Sequence, residues 1–173
     1  MKSEVTIRHE RSGDVDAISE LIRSAFLGKP YAEGDEAELV EALRAQDALS
    51  VSLVAERDGT IVGHVAFSPA RASDGTLGWY ALGPLAVLPA HQRAGIGSTL
   101  VHEGLEAISE LGARGCILTG DPSYYARFGF KVSPESAPPG QPSEFFMVKL
   151  LGGQLPGGPI RFHGAFGGGG RPR

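Results

Sequence analysis

The stretch "LGPLAVLPAHQRAGIGSTLV", residues 82–101, decides how this chain is read. An apolar run ends at Leu88, a tight turn follows over Pro89 to His91, and a helical pattern opens at Gln92. Two glycines, Gly95 and Gly97, fall on the first turn of that helix, although glycine in a helix costs about 1 kcal/mol relative to alanine. The first amides of a helix have no intrahelical acceptor and stand at the positive end of its dipole, so they form an anion site. Glycine lets a pyrophosphate approach such amides closely, and Arg93 adds a charge at the rim. The same glycines also suit a helix packed tightly on a sheet. By themselves they leave both readings open.

Working outward, Ile96, Leu100, Val101, Leu105, Ile108 and Leu111 share one buried helical face that ends at Gly112. "GCILT" (115–119) has the unbroken apolar character of a buried strand. "DPSYYARFGF" (121–130) opens with Asp-Pro and stops at Gly129, as a short helix does. Upstream, "EVTIRH" (4–9) alternates like a strand, and "SGDVDAISELIRSAF" (12–26) is amphipathic with Ser12 or Asp14 as its cap. "GKPYAEG" breaks that pattern before a second amphipathic segment, 35–46. Two alternating runs joined at Asp58-Gly59 predict a hairpin, and 76–89 predicts a further strand interrupted at Gly83-Pro84.

Beyond the short helix, 133–144 is a proline-rich loop and "FFMVKLL" resumes as a strand, with another expected in "GPIRFHGAF". The order is strand, two helices, antiparallel strands, helix, strand, helix, strand. It predicts a mixed α/β (α+β) sheet, antiparallel at its start. One domain is expected over 1–166, with a disordered tail over 167–173, whose glycines have little to bury.

Composition narrows the function. The 173 residues are 42% hydrophobic and 21% charged with a net charge of −4, ordinary for a soluble domain and without the basic face that nucleic acid demands. No apolar run is long enough to cross a bilayer and no secretory leader is visible, so the expected setting is cytoplasmic. One cysteine, Cys116, excludes an internal disulfide, and the histidines lack metal-ligand spacing, so no metal is expected. A P-loop needs Gly-Lys before Ser or Thr, but Gly28-Lys29 precedes Pro30. A dinucleotide fingerprint needs a third glycine where Leu100 stands, and the acidic ribose partner is missing from the apolar "GCIL".

What survives is Gln-x-x-Gly-x-Gly after an apolar strand, followed about 30 residues later by a tyrosine-bearing helix and Gly-Phe. With "LGPLAVLPAHQRAGIGSTLV" and "GDPSYYARFGF" at this spacing, the chain resembles the GNAT superfamily of acyl-CoA N-acetyltransferases, nearest its bacterial YhbS-like branch. The resemblance implies a GNAT fold, a largely antiparallel central sheet flanked by helices and splayed at the cofactor strand, with acetyl-CoA as cosubstrate. It implies that the pyrophosphate sits on the segment Gln92, Arg93, Ala94, Gly95, Ile96, Gly97 and Ser98. It implies, too, that the pantetheine arm runs along the strand at Leu85, Ala86 and Val87. Gly83-Pro84 agrees with free amides there, since proline donates nothing to a ladder and glycine marks bulges.

Tyr125, four residues before Gly129, matches the family's tyrosine and is expected to protonate the departing thiolate. Its neighbour Tyr124 is expected to face another way. Deprotonating the amine calls for a base, and Glu36 at a helix start and His64 in mid-strand are the two side chains considered. Each also has a plain structural reading, as a first-turn acid and a satisfied sheet histidine. Asp121 is expected to cap the short helix, Cys116 to be core, and Trp79 and Tyr80 to wall the acceptor pocket or fill core.

The expected function is acetyl transfer from acetyl-CoA to a primary amine, small molecule or protein, by direct attack in a ternary complex. The first alternative is a non-catalytic acyl-CoA sensor on the same fold. A nicotinamide oxidoreductase and a nucleic-acid module are more distant. The acceptor and the oligomeric state, a homodimer included, stay open.

Overall fold

In the computed structural model, residues 4–167 are described. Of the tail expected to be disordered, 168–173 therefore lie outside the described residues. The chain runs through β1 (Thr6–His9), α1 (Val15–Phe26), α2 (Glu36–Ala45), β2 (Val51–Arg57) and β3 (Thr60–Pro69). It continues through β4 (Arg71–Ala72), β5 (Trp79–Val87), α3 (Ile96–Glu110), β6 (Gly115–Thr119) and α4 (Pro122–Tyr125). The last strands are β7 (Lys131–Val132), β8 (Phe146–Leu150) and β9 (Ile160–Arg161).

Seven strands form one mixed sheet in the order β1-β2-β3-β5-β6-β8-β7. Every neighbouring pair is antiparallel except β5 with β6. The Asp58-Gly59 hairpin forms as expected, with both residues at positive φ. The two-residue strand β7 carried no usable alternation in the sequence. The strand expected in "GPIRFHGAF" is β9, which leaves the main sheet and pairs with β4.

Helices cover both faces. On one, Leu100, Val101, Leu105 and Ile108 of α3 pack on Leu53, Val65 and Phe67. On the other, Ile18 and Ile22 of α1 and Val40 of α2 cover Val54, Ala66 and Ala86. Helix α3 sits unusually close to β3. A β-carbon built on Gly104 would lie only 2.1 Å from Cε1 of the fully buried Phe67, so glycine is what permits the approach.

Two irregularities in β5 position the site. Val65 faces Leu85 while Phe67 faces Leu82, so Gly83 and Pro84 together stand opposite Ala66 as a bulge. The parallel pairing with β6 is confined to Trp79–Ala81 against Gly115–Ile117. Past those residues β5 has no strand partner on that side among the described residues, and the sheet opens.

Candidate active site

The opening is a cleft of about 1010 Å³. The end of β5 and the following turn contribute Leu85, Gln92, Arg93, Gly95, Gly97 and Ser98. The segment after β6 contributes Gly120, Asp121, Tyr124, Tyr125 and Arg127. Phe26 ends α1, Pro30, Tyr31 and Glu33 come from the connection between α1 and α2, and Phe145 comes from just before β8.

The turn differs from expectation in one respect. Helix α3 begins at Ile96, four residues later than the sequence pattern suggested, because Arg93 and Gly95 take left-handed backbone at φ 64° and 82°. The Gln92 side chain turns back and donates through Nε2 to the carbonyl of Val87 at 3.0 Å, latching the turn to the end of β5. The His91 ring, 2.9 Å from an Arg57 nitrogen, ties the same turn to the hairpin. The first intrahelical bond is made by Thr99 N–H to the Gly95 carbonyl at 3.0 Å. The amides of Ile96, Gly97 and Ser98 precede it and head the helix dipole.

Side chains within this segment take different directions. Ile96 is buried against the core, Ala94 is exposed, and Ala86 lies under α1. Ala94, Ile96 and Ala86 therefore offer the cleft backbone at most, while the Val87 side chain stands beside Gly97, 3.7 Å from the position of a β-carbon there. A β-carbon on Gly97 would stand 3.0 Å from the Tyr124 hydroxyl, so only a bare residue leaves that corner clear. A diphosphate would suit the chemistry of such a turn, with helix-start amides ahead of the first intrahelical bond and Arg93 and Arg127 in the cleft lining.

Both tyrosines of α4 line the cleft, contrary to the expectation that Tyr124 faces away. The helix is only four residues long and lies along the cleft wall, so a change of about 100° between neighbours does not carry either ring out of it. The two rings meet edge to face at 4.9 Å, and Arg127 stacks over Tyr124 at 4.6 Å. Tyr125 is 8% exposed and packs against Phe128 and Phe130, and burial pushes its phenol well above the ordinary tyrosine range. Asp121 caps α4 as expected, accepting from the Ser123 N–H at 2.9 Å.

The two side chains considered as bases lie outside the cleft lining. Glu36 is 2% exposed, and its carboxylate accepts from the N–H groups of Glu33 at 2.8 Å and Gly34 at 3.2 Å. It closes the loop at the start of α2. His64 is fully buried beneath α1, with Nε2 2.8 Å from the Ser52 hydroxyl. Ser52 in turn donates to Glu10, so its single proton is committed and His64 must donate through Nε2. The remaining nitrogen, Nδ1, has no partner among the described residues. A proton placed there would be stranded in the core, and burial lowers the imidazole pKa to about 4. Glu10 continues to Arg44, which donates to it twice, at 2.9 and 3.0 Å.

Cys116 is buried and its thiol is pushed up by that burial, while Trp79 fills core against Gly115. The sequence reading missed Phe26, Pro30, Tyr31, Glu33, Arg127 and Phe145. The signal was faint, amounting to an aromatic and an acid inside a pattern-breaking loop and the first of two adjacent phenylalanines.

A glycine turn at a helix start thus stands beside a strand that parts from its neighbour, with a buried tyrosine across the gap. A profile of the acetyltransferase (GNAT) family matches residues 15–130. The chain belongs to this family. An uncharacterised N-acetyltransferase of Escherichia coli strain K12, YhbS, is 36% identical over 168 residues, covering 92% of this chain and 97% of YhbS. Among solved structures, a GNAT family acetyltransferase from Brucella melitensis in complex with acetyl-CoA is 43% identical, with a TM-score of 0.85. That match covers 95% of this chain and 99% of the other. E. coli YhbS in complex with CoA gives 32% identity and a TM-score of 0.86, with 99% of this chain and 98% of the other covered. The YhbS-like branch of the GNAT acetyltransferases is therefore where this chain sits.

Proposed function

We propose that this chain transfers an acetyl group from acetyl-CoA to a primary amine by direct attack within a ternary complex. The observation that carries the reading is the convergence of the glycine turn, the unpartnered edge of β5 and Tyr125 on one cleft. Acetyl-CoA supplies the acyl group as a thioester. The amides of Ile96, Gly97 and Ser98, with Arg93, hold the diphosphate. The free edge of β5 at Leu85–Val87 orders the amide-bearing arm as an added strand and offers an N–H to the negative charge that develops on the carbonyl oxygen.

The amine nitrogen forms a bond to the acyl carbon, the carbon–sulfur bond breaks, and the electron pair leaves on sulfur. Tyr125 gives its proton to that sulfur and takes one back from water before the next turnover; burial raises the phenol, so it enters the step protonated. The proton shed by the nitrogen passes to water in the open cleft. Glu36 is given a loop-fixing role and His64 a structural one, and neither is assigned as base.

The test is thiol release from acetyl-CoA across a panel of primary amines, with mass spectrometry of the products. An acetylated amine supports the reading. Tight acetyl-CoA binding with no thiol released by any amine favours a sensor instead.

A further inference from the structure

The glycine turn has little core to hold its shape. From Pro89 to Gly95 every residue is exposed except His91, which is half-buried. Arg93 and Gly95 take left-handed backbone at φ 64° and 82°. Arg93 has a side chain to accommodate there, so its conformation persists only where the surroundings impose it. Two bonds close the turn on the strand before it, His91 N–H to the Leu88 carbonyl at 2.8 Å and Gln92 to Val87 at 3.0 Å. Both reach back no further than the end of β5.

One side-chain bond reaches across the fold. Arg57 ends β2, in register with Thr60 across the tight Asp58-Gly59 turn, so it stands on a short hairpin with little freedom. Its Nη1 lies 2.9 Å from Nδ1 of His91. A guanidinium can only donate, so Nδ1 accepts, and the ring is neutral with its proton on Nε2. The hairpin thereby grips the turn two residues before the left-handed Arg93. Arg57 itself is outside the cleft lining.

We propose that Arg57 is a positioning residue for the coenzyme: through His91 it holds the glycine turn in its diphosphate-binding shape before the ligand arrives. This role rests on the reading of the cleft as an acetyl-CoA site. A ligand that binds one conformer is weakened by the fraction of chains that hold that conformer. Freed from the hairpin, the turn visits other shapes, and the coenzyme must restore the bound one at a cost in affinity. Once it is bound, the reacting groups stand as before. The loss therefore falls on KM and not on kcat.

CoA is titrated by calorimetry into the full chain, Arg57→Met, His91→Leu and the double variant. Arg57 has a further contact of its own, so comparing single and double variants isolates the share that runs through His91. Each single variant is expected to bind CoA about tenfold more weakly at unchanged Tm, and the double variant no more weakly than the worse of the two. With a responsive amine, KM for acetyl-CoA should rise by the same factor in Arg57→Met while kcat and the KM of the amine hold. Unchanged CoA affinity in either single variant, losses that multiply in the double variant, or a fall in kcat at saturating acetyl-CoA overturns the proposal. Should Arg57→Met lower Tm, His91→Leu decides, because it leaves Arg57 in place: weakened CoA binding supports the tie and unchanged binding overturns it. Weakened, non-additive CoA binding without thiol release from any amine upholds the positioning role and sinks acetyl transfer. Thiol release with CoA affinity untouched by both variants does the reverse.

Discussion

The Tyr124 hydroxyl lies 3.0 Å from the point where a β-carbon on Gly97 would stand. A tyrosine on α4 and a glycine on α3 thus meet across the cleft, and the space between them is set by a missing methyl group. Gly97→Ala should fold well, because alanine gains about 1 kcal/mol of helix propensity. The displaced phenol should nevertheless narrow the cradle. Acetyl-CoA affinity is expected to drop about tenfold or more with Tm unchanged or raised, and Tyr124→Phe in the same chain should recover part of the loss. Calorimetry on the single and double variants checks this.

Tyr125→Phe keeps the ring among Phe128 and Phe130 and removes only the hydroxyl. Turnover should fall by roughly 10²–10⁴-fold while acetyl-CoA affinity holds, because the proton is given only as the bond breaks. Tyr124→Phe should cost much less. Single-turnover thiol release, compared between the two variants, separates them, and equal losses would remove Tyr125 from its role.

Gly104→Ala places a methyl group inside the volume of Phe67. The ring is fully buried and cannot swing into solvent, so helix and sheet must part. Overpacking of this kind costs roughly 1–3 kcal/mol, which lowers Tm by about 3–10 °C in a domain of this size. Phe67→Leu should relieve much of the loss when combined with it. Thermal melts of the four combinations supply the measurement.

His64 makes stability depend on pH in a defined window. Its folded pKa of about 4 lies below the ordinary histidine value of about 6.5, so the unfolded chain binds the extra proton between those limits. The stabilisation is complete above pH 6.5 and is lost as pH falls through 4. It amounts to about 3 kcal/mol. Glu10, whose burial opposes but does not outweigh the hydrogen bonds from Arg44 and Ser52, is held below its usual range, so its own loss comes at lower pH. Denaturant melts at stepped pH should show this slope in the wild type and its flattening in His64→Gln.

The sequence disclosed most where one residue type has one physical use. Glycines at a helix start, a Gly-Pro pair in a strand and an Asp-Pro helix opening each pointed to the right element. Lateral relations were less visible. Glu36 looks the same in sequence whether its carboxylate faces a substrate or ties down the preceding loop. His64 sits in an alternating strand whichever way the helices cover it. Tyr124 escaped because a four-residue helix lying along a wall does not hide its neighbouring faces. Glu33 and Phe145 lie in segments without periodicity, where direction is set by tertiary contacts alone.

The parting of β5 from β6 after Ala81 has an evolutionary reading. Apart from Arg127, everything proposed to grip the coenzyme's phosphates and arm lies in one consecutive run, from Leu85 to Ser98, whose shape is dictated by bonds such as Gln92 to Val87. The opposite bank is furnished by a remote loop pinned through its own main chain by Glu36. Two banks with separate scaffolds drift independently. Exchanging residues 27–35 with those of a relative should therefore redirect the choice of amine without disturbing the grip on the donor, and a lineage can explore new acceptors while keeping its chemistry intact.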